Sequence, residues 1–161
     1  MTDIVSRETR SRMMSGIRAK NTNPELLLRS ALHKSGFRFR IHVSSLPGTP
    51  DIVLPKYLAV IIVNGCFWHG HDCSFFKVPK TNSDFWLKKI EGNRQRDHTN
   101  KALLEQLGWR SLTVWECATR KHDPELLTKN IANWLKSKQP SGNLGFDGNV
   151  IVPDRITAGV P

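Results

Sequence analysis

Residues 64–76, NGCFWHGHDCSFF, constrain the fold more than any other stretch of this chain. They set two cysteines, two histidines and four aromatics in thirteen positions, with too little aliphatic content to order the backbone by burial. Cys66, His71 and Cys73 follow the spacing C-x4-H-x-C, and Cys117 stands where a later strand is expected to end. Three thiolates and one imidazole make a closed tetrahedral shell for Zn2+, because soft sulfur suits this borderline cation and no position is left for water. Such a site is structural, and it requires the fold to bring the loop near residue 70 against the strand end near residue 117. His69 and His71 lie two apart, so spacing leaves open which is the fourth ligand; the other is then free for chemistry. Burial of the cysteines as small apolar groups without metal is the competing reading.

Composition narrows the class further. At 161 residues, with 39% apolar residues and five tryptophans, the chain is long enough for one domain with its own hydrophobic core. No apolar run approaches the roughly 18–20 residues that cross a bilayer, and the start MTDIVSRETR lacks the apolar segment of a secretory signal. A soluble cytoplasmic protein with free thiols is expected. Lysine and arginine number 24 against 14 acidic residues, giving a net charge of +10 and a pI near 10.0. That excess favours a polyanionic partner, since every neutralised phosphate releases counterions, and it favours nucleic acid over a membrane surface.

Along the chain, residues 1–22 read as a basic arm or short helix carrying Arg7, Arg10, Arg12, Arg18 and Lys20. Asn23-Pro24-Glu25 offers a cap, a first-turn proline and an early acid, which predicts a helix over 24–35 that stops at Gly36. Short apolar pieces follow at 37–43, 52–54 and 58–63. The last, LAVIIV, is a continuous β-branched run suited to a central strand covered on both faces. Asn82 or Ser83 caps a long helix ending at Gly108, with Gly92 as a candidate interruption. WRSLTVWEC predicts another strand, and Asp123-Pro124-Glu125 opens a helix through Leu127, Ile131 and Leu135. This order predicts an α/β fold, a central mixed β-sheet flanked by helices, over a core of residues 23–138. From Gln139 onward Pro, Ser, Gly and Asn dominate, and residues 139–161 are expected to form a loose tail.

Asp51 is the acidic residue best placed to work with a free histidine, because GTPDIVL sets it at the start of a short apolar strand with LAVIIV following. Nucleases of the PD-(D/E)xK kind use this layout to bind Mg2+ between the scissile phosphate and its attacking water. The second half of that motif is absent: no acidic residue occurs between Asp51 and Asp72, so no E-x-K sits on the second strand. Another group must supply the base.

PGTPDIVL, NGCFWHGHDC, KVPKTNSDFWLKKIEGNRQRD and LGWRSLTVWEC, in this order and at these intervals, closely resemble the very short patch repair (Vsr) DNA mismatch endonucleases. The likeness spans residues 8–135, and its specific part is the C-F-W-H-x-H-x-C block with a distant W-E-C. It implies a restriction-endonuclease-like core with a structural zinc held by Cys66, His71, Cys73 and Cys117. It also implies Mg2+-dependent chemistry, with Asp51 and the backbone carbonyl of Val63 on the cation and His69 activating water. Glu25 and Asp97 match acidic positions near that metal. Phe67, Trp68 and Trp86 resemble a wedge that enters the base stack from the major groove, with Met14 on the N-terminal arm entering from the minor groove. A wobble pair stacks poorly, so the step beside it parts at least cost. The implied partner is double-stranded DNA with a T:G mismatch left by deamination of 5-methylcytosine, nicked 5′ of the thymine. The resemblance further implies a monomeric bacterial protein of the cytoplasm, acting at the nucleoid and linked to a cytosine-5 DNA methyltransferase. One departure stands out: where the family has Thr-His before Gly-Cys, this chain has Val63-Asn64. Asn64 can hydrogen-bond a phosphate or water but carries no proton near neutral pH. With E-x-K absent as well, two other readings stay open: a zinc-stabilised mismatch-binding protein without catalysis, and an ordinary restriction-type nuclease.

Overall fold

The computed structural model describes residues 6–15 and 20–152. Helix α1 (Arg7–Ser15) falls within the expected basic arm, and the side chain of Met14 on it lies outside the described residues. Helix α2 (Asn23–Lys34) starts one residue earlier than the sequence suggests, because Thr22 is the cap rather than Asn23. The Thr22 hydroxyl accepts from the Glu25 N–H at 3.5 Å and donates to Glu25 Oε1 at 3.2 Å, while the Asn21 N–H donates to Glu25 Oε2 at 3.2 Å. T-N-P-E is thus a variant of the capping box, with Glu25 reaching back to the N–H of Asn21 rather than of Thr22, and it fixes the rotamer of Glu25. The helix stops before Gly36, whose φ of +91° reverses the chain without a Cβ penalty.

Six strands form one sheet in chain order: β1 (Arg40–Ile41), β2 (Ile52–Leu54), β3 (Ala59–Asn64), β4 (Arg110–Trp115), β5 (Ser141–Leu144) and β6 (Val150–Ile151). The apolar piece at 37–43 contributes only the two residues of β1. Pairings β1–β2, β2–β3 and β5–β6 are antiparallel, and β3–β4 and β4–β5 are parallel. Helix α3 (Ser83–Gln106) makes the first crossover, while α4 (Glu116–Lys121) and α5 (Pro124–Lys136) make the second. Gly92 does not interrupt α3. Asn82 sits at its N-cap position but makes no side-chain cap bond.

Leu58 stands exposed before the strand, but from Ala59 onward the LAVIIV run is covered on both faces. Ala59 and Ile61 join Leu28, Leu32, Leu112, Val114, Leu127 and Ile131 in the main core, whereas Val60 packs with Val53 and Leu104 on the opposite face. A strand between two layers needs no polar alternation, and each fully buried Leu or Ile stabilises by about 2 kcal/mol.

Two expectations need correction. Cys117 does not end a strand: β4 stops at Trp115, and Cys117 lies in the first turn of α4. Nor is the stretch from Gln139 loose over its described part. Ser141 to Leu144 pair with Ser111 to Val114, and Leu144 is fully buried. S-G-N-L has a single aliphatic residue, so periodicity is blind to this strand, which is held by its backbone ladder and by close approach at Gly142. A Cβ on Gly142 would stand 3.0 Å from Trp134 Nε1 and 3.0 Å from Val150 Cγ1. The carboxyl ends of parallel strands β3 and β4 open on the same edge as the start of β2, where ligands of open α/β sheets gather.

Candidate active site and metal centre

The cysteine and histidine ligand set assembles as the spacing requires. Ligand atoms of Cys66, His71, Cys73 and Cys117 all lie within 4.8 Å of one another. His71 Nδ1 is 3.6 Å from Cys66 Sγ and 3.5 Å from Cys117 Sγ. Ordinary Zn–S and Zn–N bonds in a tetrahedron put sulfur and nitrogen about 3.6 Å apart, so the residues fit the metal. Burial pushes the Cys117 thiol up to about 11 and the Cys66 thiol higher, a cost that a dication at the centre reverses by favouring thiolate. Burial also holds His71 below its ordinary value, which suits a neutral ligand. The ring stacks on Trp115 with centroids 4.1 Å apart, which fixes its orientation. His69 is not part of this cluster.

A cleft of about 660 Å³ lies at the carboxyl edge of the sheet, lined among others by Glu25, Asp51, Val63, Asn64, Phe67, Trp68 and His69. The capping box points Glu25 into it, and the turn before β2 supplies Asp51. Asp51 Oδ2 accepts from the Val63 N–H at 2.7 Å. Burial pushes the Asp51 carboxyl up to about 6; the Val63 bond opposes that rise and the charge of Glu25 adds to it. Two carboxylates crowded in a half-buried cleft are ligands of the hard-oxygen kind that Mg2+ prefers.

His42 and Arg29 also belong to this site, and the sequence reading missed them. His42 Nε2 lies 3.1 Å from Glu25 Oε2 and 4.0 Å from Asp51 Oδ1, and Arg29 Nη2 donates to Glu25 Oε2 at 2.7 Å. The signal was the antiparallel register: Arg40 opposite Val53 and Ile41 opposite Ile52 carry His42 to a place opposite Asp51.

His69 donates from Nδ1 to Asp97 Oδ2, since a carboxylate only accepts, and this leaves Nε2 free as a base. Asp97 thus reaches the site through His69 rather than through the cleft wall. Asn64 ends β3 at 4% exposure, and its Nδ2 has no hydrogen-bond partner among the described residues. Phe67, Trp68 and Trp86 form one edge-on cluster, with ring centroids 5.2 Å (Phe67–Trp68), 5.4 Å (Phe67–Trp86) and 5.9 Å (Trp68–Trp86) apart. Lys89 Nζ stands over the Trp68 ring, 5.4 Å from its centre, in a cation–π contact. A larger depression of about 820 Å³ between α2 and α5 holds none of these residues.

A basic chain that gathers paired carboxylates, a carboxylate-backed imidazole and a rank of aromatic edges on one cleft belongs among the nucleases. The family model described as DNA mismatch endonuclease Vsr matches residues 2–75. The chain is 42% identical over 151 residues to the DNA mismatch endonuclease Vsr of Escherichia coli, covering 92% of this chain and 97% of the relative. It is 51% identical over 117 residues to the type II nicking enzyme V.XorIIP of Xanthomonas oryzae, covering 73% and 86%. Against the type II nicking enzyme V.NmeAIP of Neisseria meningitidis it is 47% identical over 117 residues, covering 73% and 84%. The chain therefore belongs to the Vsr family of DNA mismatch endonucleases, and it is a nicking endonuclease.

Proposed function

We propose that this chain cuts one strand of double-stranded DNA on the 5′ side of the thymine in a T:G mismatch, using Mg2+ on a restriction-endonuclease-like core. The observation that carries the reading is the shared cleft, where Glu25, Asp51 and His69 stand beside the Phe67–Trp68–Trp86 cluster. Asp51 and the Val63 carbonyl would hold Mg2+, which when bound offsets phosphate charge and acidifies the attacking water.

His69 Nε2 takes the proton of that water. Asp97 fixes the Nδ1–H tautomer and stabilises the imidazolium that results. Glu25, locked by Thr22, Asn21 and Arg29, would accept a hydrogen bond from a water entering the cleft beside Asp51. The aromatic cluster supplies mismatch selection. Its rings enter a base step that a wobble pair has already weakened, so discrimination is read as deformation energy. Met14 on the arm is assigned the opposing, minor-groove contact. Zinc at Cys66, His71, Cys73 and Cys117 anchors the loop that carries Phe67, Trp68 and His69. A monomer acting in the bacterial cytoplasm, downstream of a cytosine-5 DNA methyltransferase whose product deaminates to thymine, completes the reading.

A panel of T:G duplexes varied in flanking sequence tests it. Cleavage of one strand, dependent on both the mismatch and Mg2+, is expected. Selective binding without product at any Mg2+ concentration would instead indicate a binding protein, and equal cutting of matched duplex an ordinary nuclease.

A further inference from the structure

A second cleft, of about 430 Å³, opens on the other side of His69, between α3 and the zinc loop. His69 and Asn64 line both clefts. From α3 come Arg94, Asp97, His98 and Lys101, spaced so that they share one helix face. Arg94 and His98 are exposed at the rim, whereas Lys101 is half-buried. Among the described residues no hydrogen bond or ion pair engages the Lys101 ammonium; the charge of Asp97 is near, but Asp97 is bonded to His69. The cleft also holds the unpartnered Nδ2 of Asn64, an amide donor 4% exposed. A half-buried cation and a buried orphan donor lining one cleft are each costly until an anion with several acceptor oxygens meets both.

We propose that Lys101 and the Asn64 side-chain amide form a phosphate-binding subsite on the α3 side of His69, which takes a backbone phosphate of the DNA strand being cut. The proposal rests on the nicking of mismatched duplex argued above. It gives the lysine absent from the second strand a counterpart on a helix: a cation that positions the strand while His69 works. Asp72 also lines the cleft but is exposed, and Asp97 is committed to His69, so neither carboxylate occupies the subsite.

The test uses full-length protein and T:G duplexes in which single phosphates near the cut are replaced one at a time by neutral methylphosphonate. Wild-type protein is expected to lose about tenfold in binding at one position, as removal of a charge-assisted hydrogen bond does. Lys101→Met is expected to bind the unmodified duplex about tenfold more weakly, with its log–log salt slope reduced by about one, and to show no further loss at that same position. Asn64→Ala is expected to blunt the loss at that position, and Lys101→Arg to restore it. Lys101→Gln repeats the comparison with a polar side chain should the methionine variant fold poorly. Identical phosphate profiles for wild type and Lys101 variants overturn the proposal. So does a Lys101→Met protein whose only change is the pH dependence of nicking, the mark of a lysine that merely offsets Asp97. If wild-type protein ignores the mismatch altogether, the reading of the function fails instead, a result visible before any phosphate is replaced.

Discussion

Asp51 is a carboxylate held in a costly place. Burial raises it from an ordinary 3.8 to about 6, so the native state binds its proton more tightly than the unfolded chain does. Below about pH 3 both states are protonated and the group contributes nothing; as pH rises to about 6 the native state loses roughly 2–3 kcal/mol relative to the unfolded one. Without added Mg2+, Asp51→Asn is therefore expected to be more stable than wild type by that order at neutral pH, an advantage that shrinks to almost nothing by about pH 3. Urea denaturation at the two pH values measures this, and an unchanged difference would show that burial is not the cause. His69→Ala is a separate test: loss of a general base lowers nicking by roughly 10²–10⁴-fold. Duplex binding, followed by fluorescence anisotropy, should survive.

At this scale the sequence pointed to Asp51 and to three cysteines with one of two histidines, but not to His42. Metal-type residues close in sequence announce themselves by spacing. His42 reaches Glu25 only because β1 and β2 pair in a particular register, a fact no local pattern contains.

Among the elements, the loop from Gly65 to Phe76 depends most on something other than its own packing. Its aromatic side chains lean on α3, and its sulfur and imidazole atoms converge on one point with a ligand from α4. The protein is expected to contain one zinc per chain, and Cys117→Ser to lose it with a marked fall in melting temperature. Metal analysis of both proteins decides; full zinc in the serine variant would remove Cys117 from the site.

Strand β5 makes the complementary point. Its polar sequence looked like tail, yet Leu144 is buried and Trp115 Nε1 donates to Asn143 Oδ1 at 3.4 Å. Leu144→Ala is expected to cost about 2–5 kcal/mol in urea unfolding, as cavity formation in a core does. A loss under about 0.5 kcal/mol, typical of surface substitutions, would return the segment to the status of a tail. Helix α2, by contrast, was legible almost to the residue, because capping chemistry and a glycine stop are local signals.

For the whole molecule, a helix, apolar strands, a crossover helix and another strand prescribed an α/β sheet with LAVIIV inside it, and the sheet has that order. The pairing of β4 with β5 across α4 and α5 was out of reach, since it depends on backbone hydrogen bonds that polar side chains conceal. No helix among the described residues is long and apolar enough to cross a membrane. The net charge of +10 favours phosphate contacts whatever the sequence, so DNA affinity is expected to fall steeply and linearly on a log–log salt plot, while the ring insertion proposed above, being uncharged, predicts a mismatch preference that changes little.

On the function proposed above, a carboxylate, an imidazole and an aromatic cluster in one cleft cut DNA only where a base step is already weak. Single-turnover cleavage of end-labelled T:G and T:A duplexes of one sequence, with Mg2+, by wild type and Asp51→Ala, tests this most directly. A single product is expected from the T:G duplex, ending 5′ of the thymine, absent with T:A and absent with the variant. Equal cleavage of both duplexes, or product that persists in Asp51→Ala, would contradict it.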